Sequence, residues 1–344
     1  MITAIDTMVE DTANKLLGEL SDQATVEAAE RGTFAVKLWT EVTEAGLTTA
    51  LDDGLSGLPA ALAVAKACGA FPAPIPLTET IMARGLAQTA GLVWPEGAAT
   101  IAPPRTSEVT LAKDGGGYRL RGMIGAVPFG RWSEHVAVAC DGRLAIVPTQ
   151  GLAWKGARSY SDQSYAGDPL DTAEIDVALP TKAVGKLSVD MDALGALMRS
   201  FQMVGGMRQA LGITIQYAND RVQFGRPIGK FQSLQHMIAE MVENTAAAET
   251  AATMALNEHG GPRERMMLAA AKIRCGEAAG IVAAGAHQIH GAIGFTREHR
   301  LHHITRRLWT WRDEFGHEGD WAVELGRLAL AGGGDGLWPL LTGA

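Results

Sequence analysis

The sequence has few cysteines and no long apolar run. Its three cysteines, Cys68, Cys140 and Cys275, stand far apart and lack the paired spacing that binds a metal ion. We expect them to be buried, reduced thiols, as is usual in a cytosolic protein. No stretch approaches the roughly 18 uncharged apolar residues of a membrane-spanning helix. The first residues have neither the basic start nor the apolar core of a signal peptide, so we predict a soluble, cytoplasmic protein.

The chain also lacks an excess of basic residues. It carries 30 Lys and Arg against 38 Asp and Glu, which gives a net charge of −8. Non-specific nucleic-acid binding depends on a basic face, so this balance argues against it. Glycine, by contrast, is abundant at 41 of 344 residues, where about 7% is usual. A GC-rich genome would explain the excess, and so would close backbone contacts or a bulky ligand.

The hydrophobic pattern divides the chain into three parts. Over residues 1–92, apolar residues recur at helical intervals, with a proline-rich corner at Pro72 to Pro76 between two of the predicted helices. Over residues 93–182, short β-prone pieces alternate with turn signals, as in an antiparallel sheet or barrel. Over residues 183–344, the helical period returns in segments long enough to form a bundle. We therefore predict an α+β fold with an N-terminal α-domain, a central antiparallel β-domain and a C-terminal helical bundle.

One corner between two predicted helices carries an unusual set of side chains, in the stretch "RVQFGRPIGKFQSLQHM" that begins at Arg221. In a structural interpretation, Arg221 stabilises the exposed carbonyl groups at a helix end, and Phe224 is a core residue. In a functional interpretation, Arg221 faces an anion and Gly225 keeps the backbone close to it, while Gln232 bonds a polar ligand from the next helix. The pattern of this corner alone favours the structural interpretation.

A second glycine-rich turn lies in the stretch "QIHGAIGFTREHRL", which begins at Gln288. Gly291 and Gly294 interrupt two helical segments and leave Gln288 at a helix end. Glycines at such a turn let a large flat or phosphorylated ligand approach the main chain. With this second stretch beside the first, the functional interpretation gains weight.

Both stretches resemble motifs of the acyl-CoA dehydrogenase family. The first follows the family pattern R-x-x-F-G-x-x-[IL]-x-x-x-Q, and the second follows Q-[IVL]-x-G-[GA]-x-G-[FY]-x-x-E. The order of helical, β and helical parts is similar to that of the family too, so the resemblance covers most of the chain. The matching residues are Arg221, Phe224, Gly225, Ile228 and Gln232 in the first stretch, and Gln288, Gly291, Ala292, Gly294, Phe295 and Glu298 in the second.

The resemblance implies an FAD cofactor held at a subunit interface. In the family, the two motifs contact the pyrophosphate and adenosine of a flavin whose ring sits in the neighbouring subunit. It also implies α,β-dehydrogenation of an acyl-CoA thioester, in which a carboxylate removes the α-proton and a β-hydride passes to the flavin. The residues that the resemblance assigns to the adenosine side of the FAD site are Arg221, Phe224, Gln232, Gln288, Gly291 and Ala292.

The catalytic Glu of the family has no counterpart at the two positions where members carry it. Counted without gaps, these positions fall on Phe315 and Gly195, and neither side chain can take a proton. Glu314 is adjacent to the first position, and Glu318 would match if three residues were inserted, so both are weak alternatives. We interpret Glu318 as a solvated residue in the first turn of the last helix. We therefore predict no catalytic residue on this chain.

The β-domain also departs from the family. Members carry a T-E-P-x-x-G-S-D stretch and a W-[IV]-[ST]-N strand that packs on the flavin ring, where this chain has "IAPPRTSEV" and "GMIGAVPFGRW". By residue counting, Ala126 stands for the Trp and Pro128 for the Ser or Thr, and we interpret the nearby Trp132 as a core residue of the sheet. By this resemblance, the chain has the motifs for the adenosine side of an FAD site and lacks those for the ring side and the base.

This pattern resembles the short subunit of the heteromeric acyl-CoA dehydrogenases of bacterial steroid and bulky-substrate degradation. In those heterotetramers a short chain pairs with a longer one, and each such pair holds one complete FAD site. Two alternatives stay open: a homomeric enzyme that uses Glu318 as base, and a structural or regulatory paralogue that binds no flavin. A DNA-damage-response branch of the same fold would need a basic groove, of which the net charge gives no sign. The resemblance identifies neither the acyl group nor the electron acceptor.

Three histidines, His299, His302 and His303, are clustered in the segment "EHRLHHITRR". Two of them could share a helix face, but the sequence offers no further ligands at a fitting distance. We therefore predict no metal site and interpret these histidines as a polar interface or surface cluster.

Overall fold

The computed structural model describes residues 4–156 and 168–342. The chain folds into two compact units, one drawn from residues 2–68 and 72–195 and the other mainly from residues 196–344. We call them the N-terminal and C-terminal units. The elements follow the predicted order of helices, strands and helices, while the predicted domain boundaries near residues 92 and 182 stay a prediction.

Helices form the first part of the chain, and local sequence signals mark some of their ends. Gly46 follows the third helix with a φ of 74°, a left-handed conformation that ends helices readily because glycine adopts it without strain. Asp22 begins the second helix, where its side chain accepts a hydrogen bond of 2.8 Å from the Thr25 amide. The helices are α1 (Ala4–Leu20), α2 (Gln23–Glu30), α3 (Val36–Glu44), α4 (Leu58–Ala70) and α5 (Leu77–Thr89).

The middle of the chain forms two four-stranded sheets, ordered β1-β4-β5-β8 and β2-β3-β7-β6. Within the described residues, every pair in them is antiparallel except β1 with β4. Side chains from both sheets share one core, which includes Leu120, Val136 and Ile175. The strands are β1 (Ala99–Ala102), β2 (Glu108–Asp114), β3 (Gly117–Pro128), β4 (His135–Cys140), β5 (Arg143–Pro148), β6 (Lys155–Gly156), β7 (Leu170–Leu179) and β8 (Val184–Lys186).

Three long helices of 30, 26 and 27 residues dominate the C-terminal part of the chain. Short connections join them, so successive helices run in opposite directions. The C-terminal ends of α6 and α8 and the start of α7 therefore lie at one end of the bundle. The elements are α6 (Met191–Asp220), β9 (Val222–Gln223), β10 (Arg226–Pro227), α7 (Gln232–Asn257), α8 (Glu264–His290), α9 (Leu301–Asp313), α10 (Glu318–Ala331) and α11 (Gly333–Thr342).

The predicted fold class is confirmed: helices, a largely antiparallel β region and a C-terminal helical bundle follow one another. Across residues 4–156 and 168–342, no helix is both long enough and apolar enough to cross a membrane.

Candidate functional site

The corner between α6 and α7 is a tight hairpin of two short strands. β9 and β10 pair with Gln223 opposite Arg226, and the two residues between them, Phe224 and Gly225, have φ values of 50° and 79°. Positive φ at both central residues is the geometry of a type I′ turn, which glycine adopts easily and a bulky residue does not. Phe224 is 92% exposed, so the structural interpretation of this side chain as a core residue does not hold. An exposed aromatic in a strained conformation is a feature of ligand sites more than of cores.

The second glycine-rich turn lies at the same end of the bundle. Tyr217, one helical turn before Arg221, stacks on His290 with ring centroids 4.4 Å apart and ring planes 21° apart. His290 directly precedes Gly291, so the two predicted motifs approach each other through this stack. From here on, residues 221–232 are the Arg221 corner and residues 288–296 are the Gly291 turn.

Gly291 has a backbone conformation that only glycine adopts readily, with φ 64° and ψ −145°. A Cβ atom placed there would meet nothing within 4 Å, so one side of this backbone is open to a ligand. Gln288 and Ala292 on either side of it are exposed. Gln288 also lines a cavity of about 400 Å³ between α7 and α8, together with residues such as Met237. Gln232, the first residue of α7, is exposed as well.

Three exposed arginines near this end of the bundle pair with no carboxylate of residues 4–156 and 168–342: Arg221, Arg226 and Arg300. The Arg226 guanidinium instead lies 4.3 Å from the centroid of the Phe231 ring. Most arginines elsewhere hold a carboxylate; Arg208, for example, pairs with Glu249 at 2.5 Å. A guanidinium group without a carboxylate partner can donate charge-assisted hydrogen bonds to an anion.

Glu318, a weak alternative for the base, is held by an arginine. Its Oε1 atom accepts a hydrogen bond of 2.5 Å from Arg312 Nε, and its side chain is 12% exposed. Burial acts to raise the pKa of Glu318, but Arg312, a backbone hydrogen bond and His317 together hold that pKa below its usual value. The residue does begin α10, with His317 as its N-cap, yet the expected solvated carboxylate is in fact largely buried and paired. Such a carboxylate is a weak base.

Glu314, the other alternative, belongs to a buried ion pair. Its Oε2 atom accepts hydrogen bonds from Arg199 Nε at 2.9 Å and Nη2 at 2.6 Å. The two side chains are 8% and 1% exposed. Phe315 beside it, where the family base falls by counting, is buried with a φ of 55°, and the Arg199 guanidinium lies 5.5 Å from its ring centroid. This turn is therefore a packed part of the core.

Lys272, on the buried face of α8, is a polar residue that the sequence interpretation missed. Its Nζ atom donates to the carbonyl oxygens of Arg312 at 2.7 Å and Gly316 at 2.8 Å, and lies 3.3 Å from that of Trp311. Burial lowers the pKa of Lys272 to about 8, so the amine is still charged at neutral pH and stabilises the carbonyl end of α9. A lysine directly after three alanines, in the segment "AAAKIRC", was the available signal.

The clustered histidines are more buried than expected. His303 is 2% exposed, which excludes the surface alternative for this residue, while His299 and His302 are half-buried. The rings of His302 and His303 lie 3.9 Å apart. Within residues 4–156 and 168–342, no three His, Cys, Asp or Glu side chains are grouped so as to hold a metal ion.

In the N-terminal unit, the positions counted for the flavin ring lie at an irregularity of β3. Its pairing with β7 shifts register between Ile124 and Val127, and Ala126 within the bulge has a φ of 49°. Trp132 is half-buried and packs on Phe34 with ring centroids 5.8 Å apart, outside the core that the two sheets share. The position counted for the family Trp thus carries a methyl group on a bulged strand.

Part of the chain is similar in sequence to known proteins. Residues 192–312 match the family described as acyl-CoA dehydrogenase, C-terminal domain. The acyl-CoA dehydrogenase IpdE2 of Mycobacterium tuberculosis is 35% identical over 112 residues, which cover 33% of this chain and 34% of that protein. The match thus spans about a third of the length of this relative.

Solved structures extend the likeness to nearly the whole chain. The ChsE4–ChsE5 complex from Mycobacterium tuberculosis has a TM-score of 0.83 at 20% identity, covering 96% of this chain and 98% of the compared chain. A variant of the Tcur3481–Tcur3483 steroid ACAD has a TM-score of 0.80 at 21% identity, covering 96% and 99%. At such identities the comparison establishes a shared fold.

Proposed function

We propose that this chain, whose residues 192–312 match the C-terminal domain of acyl-CoA dehydrogenases, is a subunit of an FAD-dependent acyl-CoA dehydrogenase. It contributes the adenosine side of the FAD site at the interface with a partner. A second acyl-CoA dehydrogenase-like chain contributes the flavin-ring pocket and the catalytic carboxylate. The two chains assemble as a heterotetramer with one complete FAD site for each pair.

The observation that supports this function best is the composition of the Arg221 corner. Phe224 is fully exposed at a strained turn, and Arg221 beside it has no carboxylate partner in the described part of the chain. The ADP portion of FAD combines a flat base with a doubly charged pyrophosphate. An exposed ring offers a stacking surface, and a guanidinium offers charge-assisted hydrogen bonds to phosphate oxygens. These residues therefore fit the adenosine side of the cofactor.

The remaining predicted residues fit the same ligand. The open backbone at Gly291 lets a phosphate group approach the main chain, and Ala292 adds little bulk beside it. Gln232 and Gln288 carry exposed amides at neighbouring helix ends, and amides can both donate to and accept from ribose hydroxyl groups. All six residues lie in the C-terminal unit, so their arrangement does not depend on the β-domain.

We assign the catalytic base to the partner because of how the candidate carboxylates of this chain are paired. When bound, the flavin supplies the electron acceptor for the reaction. Removal of the α-proton needs a carboxylate that is free to take a proton. On this chain Glu314 and Glu318 are both engaged by arginines, so the partner has to supply that group. Because the Tcur3481–Tcur3483 protein is a steroid ACAD, we propose a steroid or other bulky acyl-CoA thioester as substrate.

Replacing Arg221 tests the assignment of the FAD site. We expect Arg221→Ala to weaken FAD binding by the assembled complex about 10- to 100-fold, because a charge-assisted hydrogen bond contributes about 1.5–3 kcal/mol. Equilibrium titration of the apo complex with FAD measures the change. Arg327→Ala on α10 is the matched control, since this exposed arginine carries the same charge. Unchanged affinity in Arg221→Ala, or an equal loss in the control, would sink the assignment.

Replacing Glu318 tests the homomeric alternative. In the complete complex, Glu318→Gln should leave the dehydrogenation rate within a few-fold of the wild type, because the carboxylate is bound to Arg312. Glu324→Gln is the control, since Glu324 on the same helix pairs with Arg265 and its replacement also breaks an ion pair. Steady-state kinetics with flavin content determined in parallel separates the two effects. A rate loss of several orders of magnitude with flavin still bound would make Glu318 the base.

A further inference from the structure

A small aromatic cluster joins the ends of α6 and α8. The Tyr217 ring stacks on His290 at 4.4 Å, and the Tyr217 hydroxyl lies 3.5 Å from the His290 carbonyl oxygen. His299 packs edge-on against both, with ring centroids 4.7 Å from His290 and 6.3 Å from Tyr217. His290 is buried, and its Nδ1 atom donates to the Ala286 carbonyl oxygen at 2.7 Å. Each ring of the cluster is thus fixed by at least one other.

Tyr217 is tied directly to the Arg221 corner. The Arg221 amide donates to the Tyr217 carbonyl oxygen at 2.9 Å, and the Arg221 carbonyl oxygen accepts from the Ile228 amide at 2.8 Å. The last turn of α6 therefore continues by hydrogen bonds into the hairpin that carries Phe224. A shift of Tyr217 would move this corner with it.

His290 is tied in the same way to the Gly291 turn. It is the last residue of α8, and Gly291 follows it with its amide bonded to the His287 carbonyl oxygen. A Cβ atom added at Gly294 would come within 3.1 Å of both His287 Nδ1 and His290 Cβ. The turn therefore packs directly on the two histidines, so the position of His290 fixes the turn.

We propose that the Tyr217–His290 pair is a positioning element that sets the distance between the Arg221 corner and the Gly291 turn. This inference rests on the proposed function, because it assigns the pair a role in holding both halves of the adenosine side ready for FAD. Tyr217 and His290 act through Arg221 and Gly291, which contact the cofactor. Preorganisation of this kind raises affinity because less conformational entropy is lost when the ligand binds.

Protonation of His290 should weaken the pair. Its Nδ1 atom already donates to Ala286, so an added proton must go to Nε2, which is buried and has no hydrogen-bond partner among the described residues. The groups around it are Tyr217 from α6, His287 on the same helix and His299 from the following segment. None of these carries a negative charge at neutral pH, so a buried imidazolium would have no counter-ion.

The direction of the pH effect follows from these contacts. Burial, with a smaller contribution from His299, lowers the pKa of His290 below its usual value, and burial lowers that of His287 to about 4. Both histidines bind protons more readily when the cluster is open, where the pKa is about 6.5. The closed cluster is therefore fully stable above about pH 6.5 and loses stability as the pH falls from there toward 4.

Paired substitutions at Tyr217 test the proposal. Tyr217→Leu removes the stack, and Tyr217→Phe keeps it and serves as the matched control. In the full-length chain at about pH 7.5, we expect faster amide hydrogen exchange over residues 222–228 and 291–296 in Tyr217→Leu and not in Tyr217→Phe. In the assembled complex, Tyr217→Leu should weaken FAD binding about three- to tenfold, the range expected for an aromatic pair, while Tyr217→Phe stays within about twofold.

A substitution at His290 adds a readout that a purely structural role would not move. His290→Phe keeps an aromatic ring against Tyr217 and cannot be protonated. Wild-type complex should lose FAD affinity between about pH 7.5 and about pH 5.5, and His290→Phe should show a flatter profile. An equally steep profile in the variant would overturn the assignment of the pH effect to His290.

The outcomes distinguish a failure of this inference from a failure of the proposed function on which it rests. Unchanged hydrogen exchange in Tyr217→Leu overturns the inference. If Arg221→Ala weakens FAD binding and Tyr217→Leu does not, the inference is again overturned and the proposed function stands. If exchange rises as expected but neither variant changes FAD affinity, the coupling of the two segments is supported and the proposed function fails.

Discussion

Expressed without a partner, this polypeptide should purify colourless or only weakly flavinated and should not dehydrogenate acyl-CoA esters. The residues proposed for the adenosine side of the FAD site are on this chain, but Ala126 and Pro128 occupy the positions counted for the ring side. The position counted for the base is Phe315, which is 2% exposed. Two copies of this chain would thus bring together two adenosine sides and neither a ring pocket nor a free carboxylate.

Co-expression supplies the measurement. The partner should be a neighbouring acyl-CoA dehydrogenase-like chain that carries the T-E-P-x-x-G-S-D and W-[IV]-[ST] stretches and a catalytic Glu. Flavin and protein are then quantified in the complex, in this chain alone and in the partner alone. We expect one FAD for each pair of chains and activity in the complex only. A yellow, active homo-oligomer of this chain would refute the division of the site between two subunits.

The long elements could be predicted because their residues repeat a local pattern. The apolar period over α6, α7 and α8 continues for 26 residues or more, and no other conformation buries such a stripe along one face. The strands with four or more residues were predicted from their β-prone composition and from the turn signals between them. β6, β8 and the β9–β10 hairpin have only two or three residues each, too few for any period to be visible.

The residues proposed for the adenosine side were identified from the sequence, but the exposure of their side chains was not. Glycine at positions 225 and 291 indicated unusual backbone conformations, and both do have positive φ. The pattern could not reveal that Phe224 faces solvent, because a single aromatic residue beside a glycine is equally consistent with a buried position. Exposure of one side chain depends on which elements surround it, and that information lies in the tertiary structure.

The polar interior of the C-terminal unit was not predictable, because its partners are far apart in sequence. Arg199 and Glu314 are separated by 115 residues, and Lys272 bonds carbonyl groups some 40 residues later. Charged residues in helical segments usually face solvent, so the periodicity of α6 and α8 assigns no partner to them. The contact with Arg199 also engages Glu314, one of the two carboxylates that the sequence left as candidate bases.

Replacing Arg199 should have the largest effect of any single substitution on stability. Arg199→Met leaves Glu314 buried without its counter-charge, and removal of one partner of a buried ion pair typically costs about 3–5 kcal/mol. Gln202 would lose a donor as well, since Arg199 Nη1 bonds its amide oxygen. We expect a matching fall in the free energy of unfolding. Urea denaturation measures it when the loss of the helical signal is followed. Arg208→Met is the control, because the Arg208–Glu249 pair is 55% and 28% exposed and such pairs contribute about 1 kcal/mol at most.

A double substitution separates the ion pair from packing and bears on the base. Arg199→Met with Glu314→Leu removes both charges, so it should recover a large part of the stability that Arg199→Met loses. If the double variant is as unstable as the single one, the lost Arg199 contacts and not the unpaired charge are responsible. In the complete complex, Glu314→Gln should lower activity only as far as it lowers the folded fraction. Loss of turnover in a folded, flavin-loaded Glu314→Gln complex would show instead that this chain carries the base, because a structural carboxylate affects the rate only through the fold.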